Sequence, residues 1–276
     1  MSDTHDSASV GSDKMEEGVA KANKKELGRE KTEKHLKERH ELKKAHSAML
    51  ASVEDPKVRF RTSAALYMED AAQKRLSHHQ VEYCATCWQL KRACLCSKLR
   101  KLSTRHRYIN WLHYKEVWRT TNTGTLLTQS CDNAKLLIHG KEEDDLELER
   151  ILKEESSTTV FLYPSPTSIS FREYFERRRT PEEGPITDWE AFLKTAPVLN
   201  VIGVDSTWAQ SRAMSNGVPD NIPRVHLTDP PKFSASHMRN QASIGRITTV
   251  EAFACALKEL GETSEAVEAL YYNLQV

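Results

Sequence analysis

Short apolar stretches alternate with amphipathic ones along most of the chain from residue 107 onward. Stretches with the length and β-branched content of strands cover residues 107–113, 135–139, 158–163, 196–205 and 224–228. Apolar positions recur at helical spacing in residues 60–76, 125–131, 141–155, 189–193, 209–214, 248–260 and 265–274. The stretch 196–205 is apolar almost throughout, which is typical of a strand buried on both faces. The alternation predicts an α/β fold, a mainly parallel sheet with helices on both faces.

Two regions interrupt this pattern. Residues 171–188 are polar and arginine-rich and contain Pro181, Gly184 and Pro185, so we predict an insertion loop there. Residues 1–20 hold almost no large apolar side chains, which predicts disorder, and residues 21–46 alternate Lys, Arg and Glu. The alternating segment is either a solvated helix or an arm that contacts RNA. The predicted organisation is a charged tail (1–56), a helix with a small cysteine-rich module (57–106) and the α/β domain (107–276).

The overall charge changes this picture little. The 276 residues carry a net charge of +1, so any case for nucleic acid rests on local patches. No apolar run reaches the roughly 18 residues of a membrane span. The acidic segment 1–18 lacks the apolar core of a secretory signal. We therefore expect a cytoplasmic or nuclear protein without a membrane partner, and its oligomeric state is left open.

Four of the six cysteines form the pattern Cys84-x-x-Cys87 and Cys94-x-Cys96. Four thiolates with no open position are typical of structural zinc, and the alternative is a set of reduced cysteines without metal. His78 and His79 lie nearby and are interpreted as surface residues, because four thiolates complete a tetrahedral shell. Basic residues surround the cluster and would form either an RNA-docking rim or a solvated face: Lys91, Arg92, Lys98, Arg100, Lys101, Arg105 and Arg107.

Polar side chains follow the predicted strands at their carboxyl ends, where ligands bind in open α/β sheets. Asp205 ends the central strand and is followed by Ser206, Thr207 and Trp208. The hydroxyl-rich loop 119–124 follows the first strand, and the turn 163–167 follows the third. Each of these segments could equally cap the next helix, as Thr248 and Glu251 are predicted to do in a capping box.

Several motifs occur in the order found in one known family. They are the cysteine pattern, Thr121-Asn122-Thr123-Gly124, Leu162-Tyr163-Pro164-Ser165, Asp205-Ser206-Thr207-Trp208 and Thr248-Thr249-Val250-Glu251-Ala252. From about Cys84 to its last residue the chain resembles the DTW-domain tRNA-uridine aminocarboxypropyltransferases. The resemblance implies transfer of the 3-amino-3-carboxypropyl group of S-adenosylmethionine to N3 of a tRNA uridine. It also implies a SPOUT-like fold with a knotted C-terminal half.

The resemblance also implies residue roles. Asp205 is the candidate base, and partial burial beside Trp208 would raise the pKa of its carboxyl group. Alternatively, Asp205 holds a ribose or the amine of the cofactor. The cofactor site would comprise Tyr163, Pro164, Ser165, Asp205, Ser206, Thr207, Trp208, Leu227, Thr248 and Thr249. The substrate side would comprise Arg119, Asn122 and Arg239, with tRNA as the partner. Ser206 stands where family members often carry glycine or threonine, a small change.

Two other functions remain open at this point. A SPOUT-type RNA methyltransferase would use the same pocket. A zinc-stabilised RNA-binding protein without catalysis would use only the basic segments and the cysteine module. The polar cluster predicted within the sheet crevice favours an enzyme, because a pure binding module has no need of it.

Overall fold

The structure is a computed structural model, and it describes residues 37–38, 40–76, 82–231 and 247–276. The chain divides into two units between Arg59 and Phe60. In the first unit, residues 40–51 form helix α1, whose side chains are mostly exposed. The predictions for residues 1–36, for His78 and His79, and for Arg239 lie outside the described residues.

Helix α2, Pro56–Leu76, is the predicted amphipathic helix before the cysteine module. In the second unit, the Phe60 ring on this helix lies 4.7 Å from the His139 ring and 5.7 Å from the Tyr114 ring. Arg61 pairs with Glu142 at 2.9 Å. This helix therefore packs on the domain that follows, as its apolar positions predict.

A sheet of five parallel strands forms the centre of the second unit. In chain order the strands are β1 Arg107–His113, β2 Ala134–His139, β3 Thr159–Leu162, β4 Asn200–Asp205 and β5 Arg224–Val225. Their spatial order is β2-β1-β4-β3-β5, and every neighbouring pair is parallel. The apolar strand β4 is central, as predicted, because both its faces must be covered. Strand β5 is shorter than the predicted 224–228.

Helices cover both faces of this sheet. They are α3 Gly124–Ser130, α4 Glu142–Glu154, α5 Phe171–Glu176, α6 Trp189–Thr195, α7 Trp208–Asn216, α8 Thr249–Glu259 and α9 Ser264–Gln275. Tyr108 and Val201 face a core built with α3, α8 and α9, while their neighbours Ile109 and Ile202 face one built with α4 and α7. This alternation follows the two-residue period of a strand and confirms the predicted α/β class. None of the described helices is long and apolar enough to cross a membrane.

The predicted insertion loop over residues 171–188 is wrong at its start, where α5 forms. The Ser170 hydroxyl accepts from the Glu173 backbone N–H at 3.1 Å, and the Glu173 carboxylate accepts from the Ser170 N–H at 3.4 Å. Phe171, Tyr174 and Phe175 are buried on one side of this helix. The sequence carried both signals, a capping box and apolar residues at helical spacing.

Arginines in α5 and just after it donate to backbone carbonyls of neighbouring segments. Arg172 donates to the Ile186 carbonyl at 2.9 Å, and Arg179 donates to the Gly184 carbonyl at 2.7 Å. The guanidinium of Arg178 donates to the Ser157 carbonyl at 2.5 Å. These basic side chains therefore shape the loop 177–186, because their donors are directed at its carbonyls and at a neighbouring turn.

The knotted SPOUT-like path stays a prediction. Within the C-terminal half, residues 232–246 lie outside the described part of the structure. The parallel sheet and its helices are compatible with several α/β topologies.

Buried His106 makes the fold sensitive to acid. Its Nδ1 accepts from the Leu199 backbone N–H at 3.0 Å, and burial, aided by Arg105, lowers its pKa from 6.5 to about 4. The unfolded chain then takes up the proton first, so stability falls as the pH drops from 6.5 towards 4. His106→Asn keeps an acceptor for Leu199 and should remove up to about 3 kcal/mol of this pH dependence, measured by urea unfolding at pH 7 and pH 4. If the stability of His106→Asn depended on pH as strongly as that of the wild type, His106 would not be the source of the acid sensitivity.

Candidate active site

The strand order opens a crevice between β1 and β4. After β1 the chain runs to β2 on one side, and after β4 it runs to β5 on the other. The connections diverge at the carboxyl ends of these two adjacent strands, which is where open α/β sheets bind ligands. Asp205, the last residue of β4, lies at this point in register with Leu112 of β1.

Three segments of the chain donate hydrogen bonds to the Asp205 carboxylate. Its Oδ2 accepts from Asn122 Nδ2 at 2.7 Å and from Asn110 Nδ2 at 3.5 Å. Its Oδ1 accepts from Thr249 Oγ1 at 3.1 Å. Asp205 is 5% exposed, so this carboxylate is buried. The structure thus brings together Asp205, Asn122 and Thr249 and adds Asn110, which the sequence reasoning missed.

The glycine of the Thr-Asn-Thr-Gly segment is required by close packing. A Cβ on Gly124, the first residue of α3, would lie 2.1 Å from Asp205 Oδ2 and 2.4 Å from Asn110 Nδ2. Any side chain there would displace the carboxylate or the amide. Asn122 has two contacts in the same turn, because its Oδ1 also accepts from the Thr125 backbone N–H at 3.1 Å. It therefore caps α3 and fixes Asp205 at once.

The residues after Asp205 begin helix α7. Thr207 is its cap: the hydroxyl accepts from the Gln210 N–H at 3.4 Å, and Gln210 Oε1 accepts from the Thr207 N–H at 2.9 Å. The helix α7 is therefore capped by Thr207, and neither Asp205 nor Ser206 is its cap. The Trp208 indole is 47% exposed, while Asp205 is more buried than the sequence suggested. The half-exposed indole belongs to the first residue of α7, three residues after Asp205.

The turn after β3 lies at the same sheet edge. The Tyr163 ring stacks on Phe161 at 5.5 Å, and the Tyr163 N–H donates to the Val225 carbonyl at 2.9 Å. Ser168 donates to the Ser165 carbonyl at 2.7 Å and lies 3.0 Å from His226 Nδ1. Pro164 is exposed, and half-buried Leu227 packs on the main core. These residues follow strands β3 and β5, which lie one and two positions from β4 in the sheet.

The loop after β1 carries Arg119. Arg119 Nη1 lies 3.2 Å from Oε1 of Glu116, whose side chain is buried, while the Arg119 side chain is 47% exposed. At the end of β1, burial lowers the pKa of His113 to about 4, and its Nδ1 accepts from the Lys115 N–H at 3.2 Å. His113 therefore stays neutral near pH 7 and caps the short turn that follows β1.

Helix α8 begins beside the crevice. The Glu251 carboxylate accepts from the Thr248 N–H at 2.6 Å and from the Thr248 hydroxyl at 2.8 Å, which confirms the predicted capping box. Thr249, the first residue of the helix, points its hydroxyl at Asp205. Backbone N–H groups at a helix start suit a carboxylate or phosphate ligand.

The four cysteines of the 84–96 segment form one cluster. Their sulfurs all lie within 4.8 Å of one another, with Cys84 and Cys96 at 3.7 Å and Cys87 and Cys94 at 3.7 Å. Tetrahedral zinc with Zn–S bonds of about 2.3 Å needs sulfurs roughly 3.8 Å apart. Hydrogen bonds from the backbone of Cys87 and then Thr86 lower the pKa of Cys84 to about 6. The donor set and spacing therefore fit a metal ion such as zinc.

The other two cysteines and the basic rim have different surroundings. Cys131 lies 3.4 Å from Thr104 Oγ1, and Cys255 lies 3.6 Å from the Tyr271 hydroxyl, both buried outside the cluster. Several rim cations have partners within the chain: Lys91 with Glu82, Arg100 over Tyr272, Lys101 with the Gln129 carbonyl, and Arg107 with Glu147. RNA docking on this rim stays a prediction.

The chain is thus an α/β protein with a parallel sheet, a buried carboxylate at the switch point of that sheet and a four-cysteine cluster that could hold a metal ion. Residues 81–276 match the family model of the DTW domain, and the chain belongs to the DTW-domain family. Membership of this family implies a tRNA-modifying function. No curated protein and no solved structure matches the chain.

Proposed function

We propose that this protein transfers the 3-amino-3-carboxypropyl group of S-adenosylmethionine to N3 of a tRNA uridine. The observation that carries the proposal is the Asp205 carboxylate, held at the sheet crevice by Asn122 and Thr249. All three residues lie in the segments that carry the resemblance to the DTW-domain family, and they fall within the range 81–276 that matches the family model. S-adenosylmethionine would supply the transferred group through its γ-carbon and leave as methylthioadenosine.

Asp205 is the proposed catalytic group. N3 of uracil must lose its proton as the new N–C bond forms, and a positioned acceptor assists that step. Asn122 and Asn110 direct donors at one oxygen of the carboxylate, and Thr249 directs a donor at the other. The same donors hold it in one orientation, so positioning is a large part of the proposed contribution.

The surrounding side chains suit the remaining charges. A sulfonium is a cation, and the exposed indole of Trp208 offers it an aromatic face next to the hydroxyls of Ser206 and Thr207. The transferred group carries its own carboxylate, which would bind at the backbone N–H groups of the α8 start near Thr248. Arg239 is a second proposed partner for it. Arg119 and Asn122 are proposed to face the tRNA.

Trp208→Ala should weaken S-adenosylmethionine binding by about tenfold, because it removes the aromatic face. The stability of the fold should change by less than about 1 kcal/mol, since the indole is half exposed. Isothermal titration and thermal unfolding measure the two effects. Trp208→Phe retains an aromatic face and should keep most of the affinity. Equal affinity in wild type and Trp208→Ala would remove Trp208 from the proposed site.

We infer further that the cysteine cluster holds one structural zinc and that tRNA is the partner. Four thiolates leave no coordination position for a substrate, so the metal would stabilise its module. We also propose a cytoplasmic or nuclear location and a SPOUT-like knotted path of the chain. A methyltransferase on the same scaffold is the alternative reaction.

The decisive experiment uses purified protein, unmodified tRNA and S-adenosylmethionine labelled either in the carboxyl carbon or in the methyl carbon. Carboxyl label in tRNA supports the proposed transfer. Methyl label alone would identify a methyltransferase, and tRNA binding without either label would identify a binding module. Mass spectrometry of nucleosides from the same tRNA then locates the added group on uridine.

A further inference from the structure

The cysteine module is joined directly to the loop that carries Arg119 and Asn122. The Nε2 of Gln89, which lies two residues after Cys87, donates to the Thr120 carbonyl. Thr120 lies between Arg119 and Asn122, whose amide donates to Asp205 at 2.7 Å. The chain of contacts therefore runs from the module through Gln89 to the carboxylate in the crevice.

Two tryptophans in a rare backbone conformation meet at the same junction. Trp88 has φ 59° and Trp118 has φ 67°, and they are the non-glycine residues with positive φ among those that the structure describes. Trp88 directly follows Cys87, and Trp118 directly precedes Arg119. Their rings lie 5.8 Å apart. A bulky side chain in this region of φ is strained, and such strain persists where the surroundings fix it, often at functional sites.

Helix α2 closes the junction from a third side. Arg75 Nη1 donates to the Trp88 carbonyl at 2.9 Å, and its guanidinium lies 4.1 Å from the Tyr83 ring and 5.7 Å from the Trp118 ring. Beneath it, buried Trp88 and Val117 belong to a small apolar cluster at the end of the sheet. The junction is thus packed, and it has both apolar and hydrogen-bonded contacts.

The internal bonds of the loop are short-range. The Arg119 N–H donates to the Glu116 carbonyl at 3.2 Å, and the Asn122 N–H donates to the Arg119 carbonyl at 3.0 Å. Such local hydrogen bonds shape the turns within the loop. Contacts with other segments must fix where the loop lies over the sheet. Gln89 and Trp88 supply such contacts from the module, opposite the contact that Asn122 makes with Asp205.

We propose that the cysteine module holds the loop 117–122 in its working position, with Gln89 and Trp118 as positioning residues for Asn122 and Arg119. The module then contributes to the geometry of the crevice as well as to its own fold. The kinetic consequence rests on the proposed function, whereas the order of the loop can be measured without it.

The test compares two glutamines whose side-chain amides each donate a hydrogen bond to a backbone carbonyl. Gln89→Met keeps the length of the side chain and removes the donor to Thr120. Gln129→Met is the matched control, because Gln129 Nε2 donates to the Thr86 carbonyl of the same module at 2.9 Å but from helix α3. Hydrogen exchange of the free, metal-loaded proteins reports on the amides of Arg119 and Asn122.

In Gln89→Met these amides should exchange at least about tenfold faster, with the thermal midpoint and metal content unchanged. The single-turnover rate with tRNA should fall by about tenfold, while S-adenosylmethionine affinity changes less than about twofold. Gln129→Met should alter neither exchange nor turnover. Unchanged loop exchange in Gln89→Met, or an equal increase in both variants, would overturn the proposal.

Trp118→Gly tests the same contact from the loop side. Glycine accepts positive φ freely, so the variant removes the ring and leaves the backbone conformation and every module residue intact. Faster exchange of the loop is expected here too, and unchanged exchange would count against the proposal. If wild-type protein transfers no label to tRNA, the proposed function fails, and the exchange data still decide whether the module positions the loop.

Discussion

Asp205→Asn is expected to lower the single-turnover rate by at least about 100-fold while S-adenosylmethionine still binds. The structure explains why this variant should keep its shape. The new amide oxygen can face Asn122 and Asn110, and the new NH2 group can donate to the Thr249 hydroxyl, which is able to accept. The substitution therefore removes the charge and the proton acceptor and leaves the network of hydrogen bonds in place.

Isothermal titration with S-adenosylmethionine and rapid-quench assays with tRNA separate binding from chemistry. Asp188→Asn is the matched control, because Asp188 is an exposed cap of α6 that accepts from the Ala191 N–H at 2.9 Å. It should retain near wild-type turnover. If Asp205→Asn also turned over at a near-normal rate at neutral pH, proton loss to water, with positioning by the hydroxyl-rich loops, would be the better account.

The position of Asp205 was predictable because local pattern determines it. An apolar run that is long enough for a strand and ends in polar residues places its last residue at the carboxyl edge of the sheet. The family resemblance placed Asn122 and Thr249 in the site, but their hydrogen bonds to Asp205 were not predicted. Asn110 gave no usable signal, since its approach to Asp205 depends on the register that pairs Asn110 with Gly203 and Leu112 with Asp205.

Other features depend on packing between distant segments. The need for glycine at position 124 comes from the Asp205 carboxylate, which is far away in the sequence. The exposure of Trp208 depends on how α7 leaves the sheet, which the pattern after a strand does not fix. The helix α5, by contrast, was missed although Ser170 and Glu173 carry its capping signal. The arginines of residues 172–179 favour a loop by composition, although Phe171, Tyr174 and Phe175 have helical spacing.

The cysteine cluster, in contrast, was predictable from local sequence. Its members are close in sequence, so spacing alone indicated that their sulfurs meet, and the structure places them within 4.8 Å. Spacing did not predict the contacts between the module and the loop 117–122. Those contacts depend on Trp88 and Gln89 packing against Trp118 and Thr120, which come after strand β1.

The double variant Cys94→Ser, Cys96→Ser should lose the metal. The sulfur contacts pair Cys84 with Cys96 and Cys87 with Cys94, so the double change removes one sulfur from each pair. Serine is a poor ligand for a soft metal ion, and two remaining thiolates bind far more weakly than four. If the metal supplies about 3 kcal/mol of stability, the thermal midpoint should fall by roughly 10 °C.

Elemental analysis measures the metal, and calorimetry measures the midpoint. Cys131→Ala, Cys255→Ala is the matched control, since it removes the same number of thiols from positions outside the cluster. It should keep about one zinc per chain. Full zinc occupancy in the Cys94→Ser, Cys96→Ser variant would refute the ligand assignment. Zinc loss with an unchanged midpoint would mean that packing of Trp88 against Trp118 holds the module without the ion.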